Sequence, residues 1–121
     1  MCFRSDIEPK KRIAEKDIIC WKFLDLAWDK VRYVSPYYSN FVWKKGKKCR
    51  SKLDKPYLGY TIYWEIEKGF HSYKSRRIAY LDRRHHIYIY DSSLHKFIIP
   101  AGASYYENDK EYVSNQLIFV K

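Results

Sequence analysis

The sequence predicts an α+β domain made of a strongly curved, mainly antiparallel and barrel-like β-sheet with one short helix. Short runs rich in β-branched and aromatic residues alternate in polarity between turn residues, which is typical of about six to eight strands. A single segment has apolar residues at helical spacing beside a capping serine. Aromatic residues make up 19% of the chain and include thirteen tyrosines, whose apolar ring and polar hydroxyl suit half-buried sheet faces.

The length of the chain predicts one domain. A chain of 121 residues buries roughly two-thirds of its unfolded surface, which is enough for a core without metal or disulfide crosslinks. Residues 1–17 are polar and carry Pro9, so we expect a partly ordered lead-in there. Residues 18–121 are predicted to form a single β-rich domain, because no repeat or glycine-serine linker divides them.

The first strong strand is predicted at residues 18–24. There Ile19, Trp21 and Phe23 share one face at a period of two. Residues 31–34 are expected to return beside this strand after a turn. The pair therefore predicts an antiparallel start to the sheet.

A lysine-rich turn follows. Gly46 lies between two lysine pairs and is flanked by Phe41–Trp43 and Cys49, which predicts a hairpin. Its cations either keep an exposed turn soluble and blunt a sheet edge, or they form a basic finger that binds phosphate or carboxylate groups. The cations of this predicted tip are Lys44, Lys45, Lys47, Lys48 and Arg50.

The predicted helix covers residues 75–84, after a strand predicted at residues 58–66. Ile78 and Leu81 lie three apart, and Ser72 or Ser75 can cap the start. The rest of its surface is strongly cationic, and arginine near the C-terminus also complements the helix dipole. The arginines are Arg76, Arg77, Arg83 and Arg84.

Three further strands are predicted after the helix, at residues 86–90, 96–99 and 112–120. Pro100 and Gly102 fit the second and fourth positions of a type I turn. Asn115 falls on the apolar face of the last strand. A polar amide there needs hydrogen-bond partners, so we expect a bulge, a structural cap or a contact in a site.

The most distinctive local segment is Gly69-Phe70-His71-Ser72-Tyr73. A glycine ends a strand, an aromatic residue anchors the turn, and a histidine precedes the helix. His71 either braces this junction or exchanges a proton with a ligand near neutral pH. Tyr73 could supply a ring and a hydroxyl to such a ligand.

Charge indicates the class of partner. Lysine and arginine outnumber aspartate and glutamate by 24 to 14, giving a net charge of +10. This balance attracts polyanions such as nucleic acid or an acidic protein, and is equally compatible with a solvated basic surface. Tyrosine rings can stack on unpaired bases. However, the chain has no RNA-recognition, KH or zinc-finger signature.

The sequence contains no motif that is typical of a metal site or of a catalytic nucleophile. The adjacent His85 and His86 would point to opposite faces of a strand, and we expect no metal and no cofactor. The odd number of cysteines, without a CxxC pair, argues against a disulfide framework and favours a reducing compartment. Cys20 is expected in the core, whereas the lysines beside Cys49 predict a lowered thiol pKa.

The cellular location is predicted to be the cytoplasm. No run reaches the ~18 apolar residues of a membrane helix. The first sixteen residues are also too charged for a secretory signal. We therefore expect a soluble protein that does not engage a membrane.

A series of short motifs follows in a defined order between residues 18 and 120. They are Ile19-Cys20-Trp21-Lys22, Ser35-Pro36-Tyr37, Gly46-Lys47, Gly69-Phe70-His71-Ser72-Tyr73, Ile98-Ile99-Pro100-Ala101-Gly102-Ala103 with Tyr105-Tyr106, and Glu111-Tyr112-Val113-Ser114-Asn115-Gln116. In this order they resemble a family of small uncharacterised proteins of phages and mobile elements of Bacteroidetes-type bacteria. The resemblance implies a cytosolic setting and an accessory role such as interference with a host defence. It carries no established activity and assigns no catalytic residue. This chain is richer in lysine and arginine around residues 44–55 and 76–84 than the resemblance implies.

These observations favour a non-enzymatic binding protein that uses a basic, tyrosine-rich surface to engage a polyanion: nucleic acid, a nucleotide or an acidic protein face. Two alternatives remain, a protein-interaction inhibitor of a host enzyme and a small nucleotide-acting enzyme centred on His71. The predicted binding residues are Lys44, Lys45, Lys47, Lys48, Arg50, His71, Tyr73, Arg76, Arg77, Arg83 and Arg84.

Overall fold

The architecture is mainly antiparallel β-sheet with one short helix. The computed structural model describes residues 3–27, 29–35, 41–59, 62–83 and 92–121. Its helix, α1, is Arg76–Arg83. Its strands are β1 (Phe3–Ser5), β2 (Arg12–Ile13), β3 (Ile18–Leu26), β4 (Tyr33–Val34), β5 (Val42–Trp43), β6 (Lys48–Arg50), β7 (Tyr57–Leu58), β8 (Trp64–Ile66), β9 (Phe70–Tyr73), β10 (Ser93–Ile99), β11 (Ser104–Glu107), β12 (Glu111–Ser114) and β13 (Gln116–Phe119).

Most strands belong to one large sheet. Its order is β2-β11-β12-β9-β3-β10-β13-β6, with β4 pairing β3 and β5. A separate small sheet has the order β1-β8-β7. The β-rich α+β prediction is therefore confirmed. Within the described residues no pairing joins β2 to β6, so barrel-like closure remains a prediction.

The large sheet has two faces, and successive side chains of β3 point alternately to one and to the other. The inner face carries the main core, and the β4–β5 pair packs onto it through Trp43. The outer face carries Phe23 and Tyr73, on which α1 packs through Ala79. The inner core consists of Cys20, Leu24, Phe97, Ile99, Leu117 and Phe119 with their neighbours.

The helix and the first strand form where local sequence predicts them. β3 begins at Ile18, as expected, and continues to Leu26. It pairs antiparallel with β4, which confirms the predicted return. The Ser75 hydroxyl accepts a hydrogen bond from the backbone N–H of Ile78 at 3.1 Å, which is the predicted N-cap.

The predicted lead-in, residues 1–17, contains the strands β1 and β2. β1 pairs with β8 and β2 pairs with β11. Phe3 and Ala14 are buried, so this polar segment supplies two apolar side chains to the cores. The boundary predicted between residues 17 and 18 is not tested by these contacts and stays a prediction.

The prediction of a hairpin around Gly46 is wrong, because the two strands that flank the turn, β5 and β6, do not pair with each other. β5 pairs with β4, and β6 pairs with β13. Trp43 is buried, and its indole N–H donates to the Ser35 hydroxyl at 2.8 Å, which directs β5 into the core. The backbone N–H of Gly46 then donates to the Phe119 carbonyl at 2.7 Å. The chain after this turn therefore runs along β13, with which β6 pairs.

The described residues contain thirteen strands instead of the six to eight predicted, because two predicted strands are each divided into a pair and because β1, β2, β9 and β11 were not predicted. Residues 58–66 form the antiparallel pair β7–β8, with Leu58 opposite Trp64. Residues 112–120 divide at Asn115, whose side-chain carbonyl accepts from the backbone N–H of Ser104 at 2.9 Å. The structural cap predicted for this amide is therefore confirmed.

The turn after β10 is shifted by one residue from the prediction. The backbone N–H of Ala103 donates to the Pro100 carbonyl at 3.1 Å. Gly102 then occupies the third position with φ +90°, a conformation that belongs to a type II turn and favours glycine. β10 itself extends the predicted strand at residues 96–99 toward its N-terminal side. The strand predicted at residues 86–90 lies outside the described residues.

Candidate functional site

The outer face remains open to solvent at the end away from α1. Residues directly opposite each other in antiparallel strands share one face of the sheet. Ile19 lies opposite Ile98, Ile98 opposite Ile118, and Ile118 opposite Lys48. Ile19 is 51% exposed, and the other two isoleucines are half-buried. An apolar row therefore crosses β3, β10 and β13 and ends at a lysine.

Cations flank this row on both sides. Arg50 lies opposite Gln116 on the same face of β6 as Lys48, and both cations are exposed. Lys96 lies opposite Trp21, one step further along β10 and β3. The Arg76 guanidinium, from the first turn of α1, lies over the Trp21 ring at 5.4 Å from its centroid. We call this surface the basic face; it comprises Ile19, Trp21, Lys48, Arg50, Arg76, Lys96, Ile98, Gln116 and Ile118.

Three of the predicted cations thus meet on one surface although they are far apart in sequence. Lys48 and Arg50 come from the predicted tip and Arg76 from the predicted helix cluster. Sequence reasoning missed Trp21 and Lys96. The available signal was the alternation around Cys20, but the partners across the sheet depend on register, which the local sequence does not reveal.

The remaining predicted cations lie elsewhere. Lys44 and Lys47 are exposed at the turn before β6. The Lys45 ammonium lies over the Phe119 ring at 6.0 Å, toward the inner face. Arg77 is exposed on α1. Arg83 is the last helical residue, and Arg84 lies outside the described residues.

His71 lies within β9 and contacts the backbone of the β8–β9 connection, so the predicted brace at the strand-to-helix junction is wrong in its place. Its Nε2–H donates to the Glu67 carbonyl at 3.0 Å, because a carbonyl oxygen can only accept. Burial is the main cause that lowers the pKa of His71 to about 4, with Lys22 also lowering it and the Glu67 carbonyl raising it. Nδ1 has no hydrogen-bond partner among the described residues. At pH 7 the ring is therefore neutral, and its geometry is that of a brace.

Tyr73 holds the helix against the sheet. The side chain is 1% exposed and packs edge-on against Phe23. Its hydroxyl donates to a carboxylate oxygen of Asp82 on α1. Because the Tyr73 ring is buried, its burial does not support the prediction that it contacts a ligand. Its contacts instead hold α1 in place, and α1 carries the guanidinium of Arg76.

A second carboxyl group lies close to the Tyr73–Asp82 contact. Glu111 lies opposite Tyr73 in the sheet and is only 7% exposed. Burial, together with the negative charge of Asp82, raises the pKa of Glu111 to about 8. Its Oε2 has no hydrogen-bond partner within the described part of the chain. The carboxyl is therefore mostly neutral at pH 7.

Cys20 is buried, and Lys22 and Cys49 are half-buried. The Lys22 ammonium donates to the His71 carbonyl at 2.9 Å, and burial lowers its pKa to about 8. Burial raises the pKa of Cys20 to about 12. Cys49 also has a raised pKa, because burial outweighs the effect of Lys47. The lowered pKa predicted for Cys49 is therefore wrong, because its side chain packs against the inner core.

The described helix, with eight residues, is too short to cross a bilayer, and no other described segment is helical and apolar enough to do so. No family model, curated protein or solved structure matches the chain.

Proposed function

We propose that this chain is a non-enzymatic binding protein that engages a polyanion through the basic face, and that the polyanion is nucleic acid. The observation that carries the proposal is the register of β3, β10, β13 and β6. It supports a single surface on which cations from separate segments surround an apolar row. Side chains of lysine and arginine bind phosphates irrespective of sequence.

The charge on this surface sets an expectation for the strength and the salt dependence of binding. Lys48, Arg50, Lys96 and Arg76 are four cations that one ligand can contact together. Four neutralised phosphates of a single strand correspond to a slope of about −3 in log K against log salt. A strongly curved, barrel-like sheet is part of the same proposal, because curvature would turn the ends of the basic face toward one ligand.

An enzyme centred on His71 receives less support. Its Nε2–H is directed to the Glu67 carbonyl, and the imidazole is half-buried beside the ammonium of Lys22. A general base near neutral pH needs a pKa near the working pH, whereas the pKa of His71 lies at about 4. The interpretation of His71 as a brace fits these contacts better.

The test compares charge reversal on the basic face with an equal reversal elsewhere. Binding of labelled single-stranded DNA, single-stranded RNA, duplex DNA and an acidic peptide is measured by fluorescence anisotropy at low and high salt. We expect Lys48→Glu with Arg50→Glu to weaken nucleic-acid binding at least about tenfold. Lys10→Glu with Lys11→Glu, two exposed positions between β1 and β2, makes the same change in net charge and serves as the matched control.

Equal losses in the two double variants would mean that net charge, and not the basic face, drives binding. Binding to the acidic peptide alone would replace nucleic acid by a protein partner, which is the interaction-inhibitor hypothesis. An accessory role in a phage or mobile element, including interference with a host defence, is the biological setting that the resemblance implies. Purification from the native host, followed by identification of co-purified nucleic acid and protein, tests that setting.

A further inference from the structure

The basic face combines two kinds of surface that different parts of a nucleotide require. Its centre is the apolar row of Ile19, Ile98 and Ile118, which ends at Lys48, and the other cations lie on the two sides of that row. In a duplex the bases are stacked inside, so phosphates and groove edges would face the isoleucines. In a single strand the flat faces of the bases are free to cover apolar and aromatic side chains.

Trp21 is placed to receive one of those bases. Its half-buried indole lies one step along β3 from Ile19 and packs against the cluster under α1. The Arg76 guanidinium lies over the ring, 5.4 Å from its centroid. Arginine pairs with phosphate and also stacks on planar groups. Lys96 lies directly opposite Trp21 on β10, where Cβ atoms are about 5 Å apart. A base that stacks on the indole would displace the Arg76 guanidinium from that face of the ring, and the guanidinium and the Lys96 ammonium would both remain within reach of its phosphates.

The length of the row matches a short stretch of single strand. Neighbouring strands lie about 4.8 Å apart, so the three steps from β3 to β6 span roughly 14 Å. A backbone that starts at Trp21 and crosses the row reaches Lys48 and Arg50 at the far end. This corresponds to about four nucleotides, which is the lower end of the range for small single-strand-binding folds.

We propose that the basic face binds single-stranded nucleic acid, with one unpaired base stacked on Trp21 between Arg76 and Lys96 and the backbone crossing β10 and β13 toward Lys48 and Arg50. This inference rests on the proposed function and adds the requirement that bases, and not phosphates alone, contribute to binding.

The experiment uses the wild-type protein and three probes whose strands are each about twelve nucleotides long, so that the two single-stranded probes carry equal numbers of phosphates and the duplex carries twice as many. The probes are oligothymidylate, an abasic oligomer and a duplex. We expect oligothymidylate to bind at least about tenfold more tightly than the abasic oligomer, because stacking on one aromatic side chain contributes about that factor. Equal binding of all three probes would overturn the single-strand assignment and would leave polyanion binding intact. Binding of none of them at low salt would overturn both proposals.

A second readout follows the tryptophan itself. Oligothymidylate is expected to quench the fluorescence contributed by Trp21, and Trp21→Phe is expected to remove that part of the quenching while retaining an aromatic ring against Tyr73 and Phe23. Trp43→Phe, at a buried position of the inner core, is the matched control and should retain the quenching. Unchanged quenching in Trp21→Phe would place the bases elsewhere and overturn the assignment.

Discussion

The buried carboxyl of Glu111 makes a prediction about stability whose sign and size follow from its surroundings. Its side chain is 7% exposed, and the charge of Asp82 lies close enough to disfavour ionisation. The perturbation is Glu111→Gln, which keeps the size of the side chain and remains neutral at every pH. Glu15→Gln, at an exposed position, makes the same charge change on the surface and is the control.

The magnitude follows from the pKa of Glu111 in the two states. Because folding raises it from 4.5 to about 8, the folded state is favoured by the neutral carboxyl below pH 4.5. That contribution is lost progressively as the pH rises through 8. At about 1.4 kcal/mol per pKa unit, the loss between about pH 5 and pH 8 amounts to roughly 3 kcal/mol.

Other groups change the stability of the wild type over nearby pH ranges. The pKa of His71 is lowered from 6.5 to about 4, so this residue adds stability as the pH rises from 4 to 6.5. The pKa of Lys22 is lowered from 10.5 to about 8, so it adds stability only as the pH rises above 8. Both proteins contain His71 and Lys22, so these two contributions cancel when the free energy of unfolding of the wild type is subtracted from that of Glu111→Gln.

The assay is urea denaturation at several pH values between about 5 and 8, with the free energy of unfolding compared at each pH. We expect Glu111→Gln to lie close to the wild type at pH 5 and to exceed its stability by roughly 3 kcal/mol at pH 8. Glu15→Gln should follow the wild type throughout. A wild-type–Glu111→Gln difference that is constant with pH would refute the assignment of a neutral buried carboxyl.

Three further predictions concern positions around α1 and the turns. Ser75→Ala removes the helix cap and should lower the free energy of unfolding by about 1 kcal/mol; a change near zero in urea denaturation would mean that the cap contributes nothing. Gly69 has φ +141°, and a Cβ there would lie 2.5 Å from a methyl group of Val113. Gly69→Ala should therefore destabilise the fold by more than about 2 kcal/mol. Gly46→Ala, where φ is +79° and the space is open, should cost only about 1 kcal/mol, and an equal loss at both positions would contradict the steric argument. His71 should remain in the neutral Nε2–H form down to about pH 5 in an NMR titration, because its pKa lies at about 4; protonation near pH 6.5 would exclude its burial against the Glu67 carbonyl.

Local signals in the sequence were sufficient for the elements that depend on local physics. β3 is rich in β-branched and aromatic residues, with Ile19, Trp21 and Phe23 on one face, and α1 has a serine cap beside a three-residue apolar spacing. Both were predicted within two residues of their bounds. The need of Asn115 for hydrogen-bond partners was also predicted, because a polar amide on an apolar face needs them wherever the strand lies; whether they belong to a bulge, a structural cap or a site was left open.

The features that the sequence did not predict depend on contacts between residues far apart in the chain. The pairing around Gly46 depends on the burial of Trp43 against the inner core, and no pattern within residues 41–50 reveals that contact. The meeting of Glu111 with Asp82 likewise requires β12 to pair with β9 beneath α1. The basic face is the strongest case, because Lys48 and Arg76 share it only through the register of four strands.

The basic face is tested most directly by an NMR titration of the isotopically labelled protein with oligothymidylate at low salt. We predict that the largest chemical-shift changes occur at the indole N–H of Trp21 and at the amides of Lys48, Lys96 and Ile118, and that they diminish as salt is added. Changes concentrated instead around Lys10, Lys11 and β2, at the opposite end of the sheet, would contradict the assignment of the basic face as the binding surface.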